Sequence, residues 1–204
     1  MQHHATDRCY PKPGALRNRW GRALRGCWLA CALTLVSSLA LAEPQLTNFE
    51  VVRGEDGLTV SFATRFDLPA GVEDALLKGV PLYFVAEATL MRDRWYWRDR
   101  VVSQVSRTWR VIYQPLTRTY RVSFGGLNQS YQSAAEAVSA VRRVAGWKLA
   151  EPGQADAGDG YYVEFSYKLD TTLLPRPMQI GIDGQPDWSL HLERVQRLAA
   201  PKEP

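Results

Sequence analysis

The sequence predicts a mainly β chain, an antiparallel β-sandwich of immunoglobulin-like kind with one or two short helices. Three observations carry this. Short runs rich in Val, Thr, Tyr, Phe and Trp alternate apolar with polar residues. Gly, Pro, Asp and Asn cluster between those runs. Only two stretches show helical periodicity. An α+β fold with an open antiparallel sheet is the alternative that the same pattern allows.

The chain begins with an address. Met1–Gly26 carries Arg8, Lys12, Arg17, Arg19, Arg22 and Arg25 against Asp7 alone, and an apolar run from Cys27 to Leu41 ends in Ala40-Leu41-Ala42. A basic segment, a short apolar segment and an A-x-A site together describe a secretory signal peptide over 1–42, cleaved after Ala42. The apolar run is about 15 residues, whereas a spanning helix needs about 20. Retention as an inner-membrane anchor is the alternative. Trp28 stands where a lipoprotein signal wants an aliphatic residue before Cys31, and no Arg-Arg pair precedes the run, so export of the general secretory type is expected.

Removing the leader changes what the composition says. Cys9, Cys27 and Cys31 leave with it, as do His3 and His4. The 25 basic and 21 acidic residues become 19 and 20 once the leader's six and one are set aside. A nucleic-acid footprint needs clustered Lys and Arg, and this near-neutral balance argues against one. Without cysteine the exported chain has no disulfide, although its compartment permits them. Packing must supply the stability. Residues 43–198 are long enough for that as one domain, with 199–204 expected to be a disordered tail.

Gln45–Arg53 and Leu58–Phe66 alternate around Gly54-Glu55-Asp56-Gly57, a hairpin signal. Asp67 and Pro69 suggest a helix start, with Pro69–Lys78 helical and Gly79 closing it. Pro81–Met91, Ser103–Tyr113 and Arg118–Phe124 form the central strands, the last with Tyr120, Val122 and Phe124 inward. Leu127–Gln132 adds a short strand. Ser133-Ala134-Ala135-Glu136 is a capping box opening a helix over Ala134–Ala145, which Gly146 stops. Trp147–Leu149 is a brief strand, and Glu151–Gly160 a loop rich in turn formers. Tyr161–Leu169 places Tyr161, Val163, Phe165, Tyr167 and Leu169 on one face. Leu173–Pro177 breaks regular structure. Gln179–Ile182 and Trp188–Leu198 are the last strands, joined by Asp183-Gly184-Gln185-Pro186.

Catalytic chemistry is narrowed by elimination. His191 is the one histidine outside the leader, on an alternating strand where a surface or rim place is expected. Thiol nucleophiles and Cys/His zinc sites lack their residues, and no G-x-S-x-G elbow, Walker or Rossmann glycine pattern occurs. No cofactor or metal is implied; Asp156–Asp159 and Asp183–Asp187 lack calcium-loop spacing. Asp93 and Asp99 flank Trp95-Tyr96-Trp97, and paired carboxylates beside aromatic walls suit sugar hydrolysis. Yet arginines sit on both sides of each, which lowers a carboxyl pKa and is wrong for a general acid. Glu87 shares a strand face with Tyr83, Val85 and Thr89 and is expected to be solvated.

The segment Arg92–Arg100 carries the functional expectation. Arg94, Trp95, Tyr96, Trp97 and Arg98 are residue types enriched at interface hot spots, because rings give contact area at low entropic cost and Arg stacks on them. In strand geometry Trp95 and Trp97 share a face. The plain alternative is that these two fill the core while the arginines face water; lipid-surface or glycan contact is a third. Trp109, Trp147 and Trp188 are expected in the core.

Several motifs in combination carry a resemblance: Gly79-Val80-Pro81-Leu82, Arg94-Trp95-Tyr96-Trp97, Trp109-Arg110-Val111-Ile112-Tyr113, Leu116-Thr117-Arg118-Thr119-Tyr120-Arg121, Leu169-Asp170, Leu174-Pro175-Arg176-Pro177 and Asp187-Trp188. Over nearly all of Glu43–Leu198 the chain resembles a family of exported Gram-negative bacterial proteins with a single domain of unknown function, sometimes labelled proline-rich signal peptide proteins. A further tryptophan is expected after Asp187-Trp188, and His191-Leu192-Glu193-Arg194-Val195 stands there instead. The resemblance implies a periplasmic location and no known activity. It also implies genes often placed beside a nitrogen-regulation-type sensor kinase and its response regulator. The expected function is therefore non-enzymatic: a binding or accessory protein that touches the sensor kinase's periplasmic domain. A carbohydrate- or envelope-active enzyme and a membrane-anchored structural domain are the alternatives.

Overall fold

The computed structural model describes residues 43–96, 98–155, 160–180, 182 and 185–198. Residues 1–42, Trp97, Asp156–Asp159, Gly181, Asp183, Gly184 and 199–204 lie outside the described residues, and with them the expected signal peptide and disordered tail. The strands are β1 (Gln45–Gly54), β2 (Gly57–Arg65), β3 (Leu82–Arg92), β4 (Arg100–Gln114), β5 (Thr119–Phe124), β6 (Leu127–Tyr131), β7 (Arg143–Ala150), β8 (Tyr161–Leu169) and β9 (His191–Arg197). The helices are α1 (Ala70–Leu77), α2 (Ala134–Val141) and the single turn α3 (Arg176–Gln179).

Two antiparallel sheets form, in the orders β1-β2-β7 and β6-β5-β4-β3-β8-β9. The chain passes from one sheet to the other between β2 and β3, back between β6 and β7, and across again between β7 and β8. This is the immunoglobulin order: β1-β2-β7 take the A-B-E places, and β9-β8-β3-β4-β5 take G-F-C-C′-C″, with β6 added at the edge. The expected sandwich is thus the observed one.

Side chains from the two sheets meet in one core. Phe62 of β2 lies 4.8 Å from Phe165 and 5.9 Å from Tyr167 of β8, and Phe66 stacks on Phe84 at 5.6 Å. Tyr161, Val163, Phe165, Tyr167 and Leu169 are all buried, as their alternation predicts. Tyr167 donates its hydroxyl to the Val141 carbonyl at 3.1 Å, and burial pushes its pKa up. Trp109, Trp147 and Trp188 are buried. Strand β7 is an edge of the smaller sheet; Ser103 of β4 covers it by donating to the Leu149 carbonyl at 2.6 Å. Arg107, inward on the same strand, lies between Phe124 (5.1 Å) and Trp147 (5.2 Å), and burial lowers its pKa. An unpaired edge is a site for stray strand pairing, and these side chains occupy it.

Four local expectations need correction. The second helix ends at Val141 rather than Ala145, because Arg143 already pairs with Ala63 of β2 and Val144 with Phe62. Thr64 fixes that junction by donating both its amide (2.8 Å) and its hydroxyl (3.2 Å) to the Arg142 carbonyl. Gly146 is then a bulge inside β7 (φ 60°), its amide bonded to Ser61 Oγ. The strand expected over Gln179–Ile182 does not form, since Gln179 ends α3 and Ile180 caps it. Pro175 caps α3 and Pro177 sits in its first turn, where a missing amide costs nothing. Residues 186–188 form a 3₁₀ turn, so the last strand begins at His191 rather than Trp188. Finally, Asp67 does not cap α1; Pro69 holds that position without a side-chain bond. Ser133 does cap α2, accepting at Oγ from the Glu136 amide at 3.2 Å, while the return bond from Glu136 Oε2 takes the Gln132 amide, one residue before the cap.

Candidate functional site

Antiparallel pairing sorts the connections between the two ends of the sandwich. The 54–57 turn, the β3–β4 loop, the start of β8 and the ends of β7 and β9 lie at one end, while the Gly125-Gly126 turn stops halfway along β4, level with Arg107 and Thr108. Gln45, where β1 starts, lies at the other, with α1, the β4–β5 turn, α2 and residues 170–180 and 185–190.

The segment Arg92–Arg100, expected between two central strands, is the β3–β4 loop. Strand β3 ends at Arg92, β4 begins at Arg100, and residues 95 and 96 form a turn. Trp95 is 93% exposed and Tyr96 71% exposed, their rings edge to face at 5.0 Å. Arg94 and Arg98 are exposed beside them. The shared strand face and the core-filling alternative are therefore wrong for Trp95; Trp97 lies outside the described residues. The cause is charge density. Arg92–Arg94 and Arg98–Arg100 bring six ionised side chains into nine residues, too many to bury and too many to spare a face for the core.

The loop's base is tied down by β8 and β9. The Asp93 amide donates to the Gly160 carbonyl at 2.6 Å, and Arg197 Nη1 reaches Asp93 Oδ2 at 3.3 Å. Asp99 uses both oxygens: Oδ1 accepts from the Arg94 amide at 3.2 Å, and Oδ2 from the Tyr162 hydroxyl at 2.5 Å. The Arg92 guanidinium lies over the Tyr161 ring at 5.4 Å. The Asp99 hydrogen bond, helped by burial, pushes the Tyr162 pKa up to about 12. Asp93 and Asp99 are thus engaged in holding the loop, and Asp93 takes its arginine from β9 rather than from its sequence neighbours.

Tyr161, Tyr162, Gly160 and Arg197 are the residues that sequence reasoning missed. Tyr162 stood on the polar face of its strand, and only the β3–β8 register, which sets Arg92 against Tyr161 and Met91 against Tyr162, gives it a role. Nothing local to residues 92–100 signals it.

The remaining candidates are separate. His191 is exposed and bonds Glu193 Oε1 at 2.8 Å, a surface pair as expected. Glu87 lies on the outer face of the larger sheet, accepting from Gln104. An open hollow of about 390 Å³ there is lined by Glu87, Thr89, Glu164, Ser166 and Glu193. Among the described residues no group of three or more His, Cys, Asp or Glu could hold a metal ion, and no helix is long and apolar enough to cross a membrane.

What the exposed loop can do follows from its parts. Two rings and flanking guanidinium groups, held in place before any encounter, offer apolar area and charged donors at little ordering cost. No curated protein and no solved structure matches the chain. A family model does match, over residues 42–197, and with it the chain belongs to the family defined by a domain of unknown function, DUF4390.

Proposed function

We propose that the chain is an exported, periplasmic binding or accessory protein without catalytic activity, whose β3–β4 loop grips the periplasmic domain of a membrane sensor kinase. The observation that carries this is the exposure of Trp95 and Tyr96 on a loop tied at its base by Asp93 and Asp99. Stability gives no reason to leave a tryptophan nearly bare on a fastened loop. Interface hot spots are built from such anchors. The leader-like residues 1–42 support export, and the resemblance to a family encoded beside sensor kinases supports the choice of partner.

The carboxylate contacts favour binding over sugar hydrolysis. A general acid needs a proton to give and a neighbour that leaves it free, whereas Asp99 spends both oxygens on the loop. An Asp93→Asn, Asp99→Asn double variant that lost turnover of an envelope glycan, yet kept its loop in place, would favour the enzyme instead. Amino-terminal sequencing of the periplasmic fraction tests export: a start at Glu43 is expected.

The direct test places a photoreactive residue at position 96 in living cells. A crosslinked product containing the sensor kinase is expected. Products containing only other envelope proteins, or none, would overturn the choice of partner.

A further inference from the structure

The end opposite the aromatic loop has a different surface. Leu116, at the tip of the β4–β5 turn, is fully exposed, and Ile180, just after α3, is 86% exposed. Leu77, Leu173 and Met178 are exposed at the same end. Among the described residues, every exposed Leu, Ile or Met but Leu127 is found there. These side chains come from separate connections: the end of α1, the β4–β5 turn, the 171–173 turn and the α3 region. Exposed basic residues accompany them: Lys78 follows Leu77, Arg118 lies two residues after Leu116, and Arg176 stands between Leu173 and Met178.

We infer that this end is a lipid-facing surface, with Leu116 and Ile180 entering the outer edge of a bilayer and Lys78, Arg118 and Arg176 level with the phosphates. Three points favour lipid over protein. Aliphatic tips on separate connections form points rather than a groove, and a fluid bilayer receives points without a complementary shape. Basic side chains beside the tips match the headgroup layer. The chain also enters the domain here, since β1 starts at Gln45, and the apolar run Cys27–Leu41 ends shortly before it.

The same end carries Asp67, Glu73, Asp74, Asp170 and Asp187. Asp67 lies 3.8 Å from Arg142, and Asp170 accepts from Thr172 and pairs with Lys168 at 3.4 Å. Charge there is nearly balanced, so the contact is apolar in origin and depends weakly on salt. One consequence is geometric. Strand β3 has 11 residues, and at about 3.3 Å per residue Trp95 stands roughly 35 Å above the bilayer, so any partner of the aromatic loop must reach that height.

The test uses the chain as recovered from cells expressing the full sequence, with its leader cysteines replaced by serine. A fluorophore is attached at Leu116→Cys, Ile180→Cys or Tyr96→Cys. Vesicles of phosphatidylethanolamine and phosphatidylglycerol carry a spin-labelled lipid that quenches only nearby dyes. Quenching at positions 116 and 180 but not at 96 is expected, little changed by added salt. In a chain labelled at Leu77→Cys, adding Leu116→Glu and Ile180→Glu should cut quenching about tenfold or more, the effect of withdrawing one such side chain or both from apolar surroundings. Quenching at 96 equal to that at 116 and 180, or none at 116 and 180, would overturn the inference. So would quenching at 77 that survives both glutamates. The aromatic loop is untouched by these two substitutions, so failure here leaves the kinase reading standing.

Discussion

The two ends of this sandwich expose apolar side chains in opposite ways. At one, Trp95 and Tyr96 sit on a single loop fastened by Asp93, Asp99, Tyr162 and Arg197. At the other, Leu116, Ile180 and their neighbours project from several connections. A fixed aromatic tip is selective, because it presents one shape. Scattered aliphatic tips suit a surface without shape. The difference teaches that exposure alone says little about function; what holds the exposed residue says more.

A sharper contrast lies within the aromatic residues, between rings that build the sandwich and rings that leave it. Phe62→Ala should have the largest effect on stability. Its side chain is buried against Phe165, Tyr167 and Trp147, and a cavity there costs about 3–5 kcal/mol, read as a lower midpoint in chemical denaturation. If the loss were under about 1 kcal/mol, the two sheets would not be packed as described.

Tyr167→Phe should cost less, about 1–2 kcal/mol, because it removes one hydroxyl and leaves the Val141 carbonyl without its donor. Asp99→Ala should cost about 1 kcal/mol or less in stability, since the groups it frees are reached by water. It should still weaken partner binding several-fold by releasing the loop. An effect on stability alone would separate the loop's fastening from its function.

The smallest effect is spectroscopic. The folded-state pKa of Tyr162, raised to about 12, lies above its ordinary value of about 10. The hydrogen bond to Asp99 therefore contributes fully below about pH 10 and is lost as pH rises through about 12. In a phenolate absorbance titration, Asp99→Ala should move one tyrosine back toward about 10. A titration identical to that of the unaltered chain would mean that Asp99 does not hold Tyr162.

The sequence made the strands legible because each carries its own burial pattern. Tyr161–Leu169 alternates in letters as it does in space, and Ser133 caps its helix through the Glu136 amide. Longer-range choices were hidden. The helix after Ser133 stops at Val141 because β2 offers pairing to Arg143 and Val144, an attraction invisible in the helix's own residues. Pro175 and Pro177 mark a break, yet prolines equally begin a helical turn, as they do in α3. For the candidate site, composition singled out residues 94–98, but the strand geometry used to sort their side chains does not hold in a turn, and the fastening was unreadable. Tyr162 and Arg197 lie 63 and 104 residues from their partners Asp99 and Asp93, and register alone brings them there.

The central claim is that Trp95 and Tyr96 serve recognition and not the fold. It is tested most directly by replacing both with alanine, then measuring stability and affinity for the sensor kinase's periplasmic domain on the same preparation. The account predicts stability within about 0.5 kcal/mol of the unaltered chain and affinity lower by about a hundredfold or more. Affinity left unchanged, or stability lost by several kcal/mol, would contradict it.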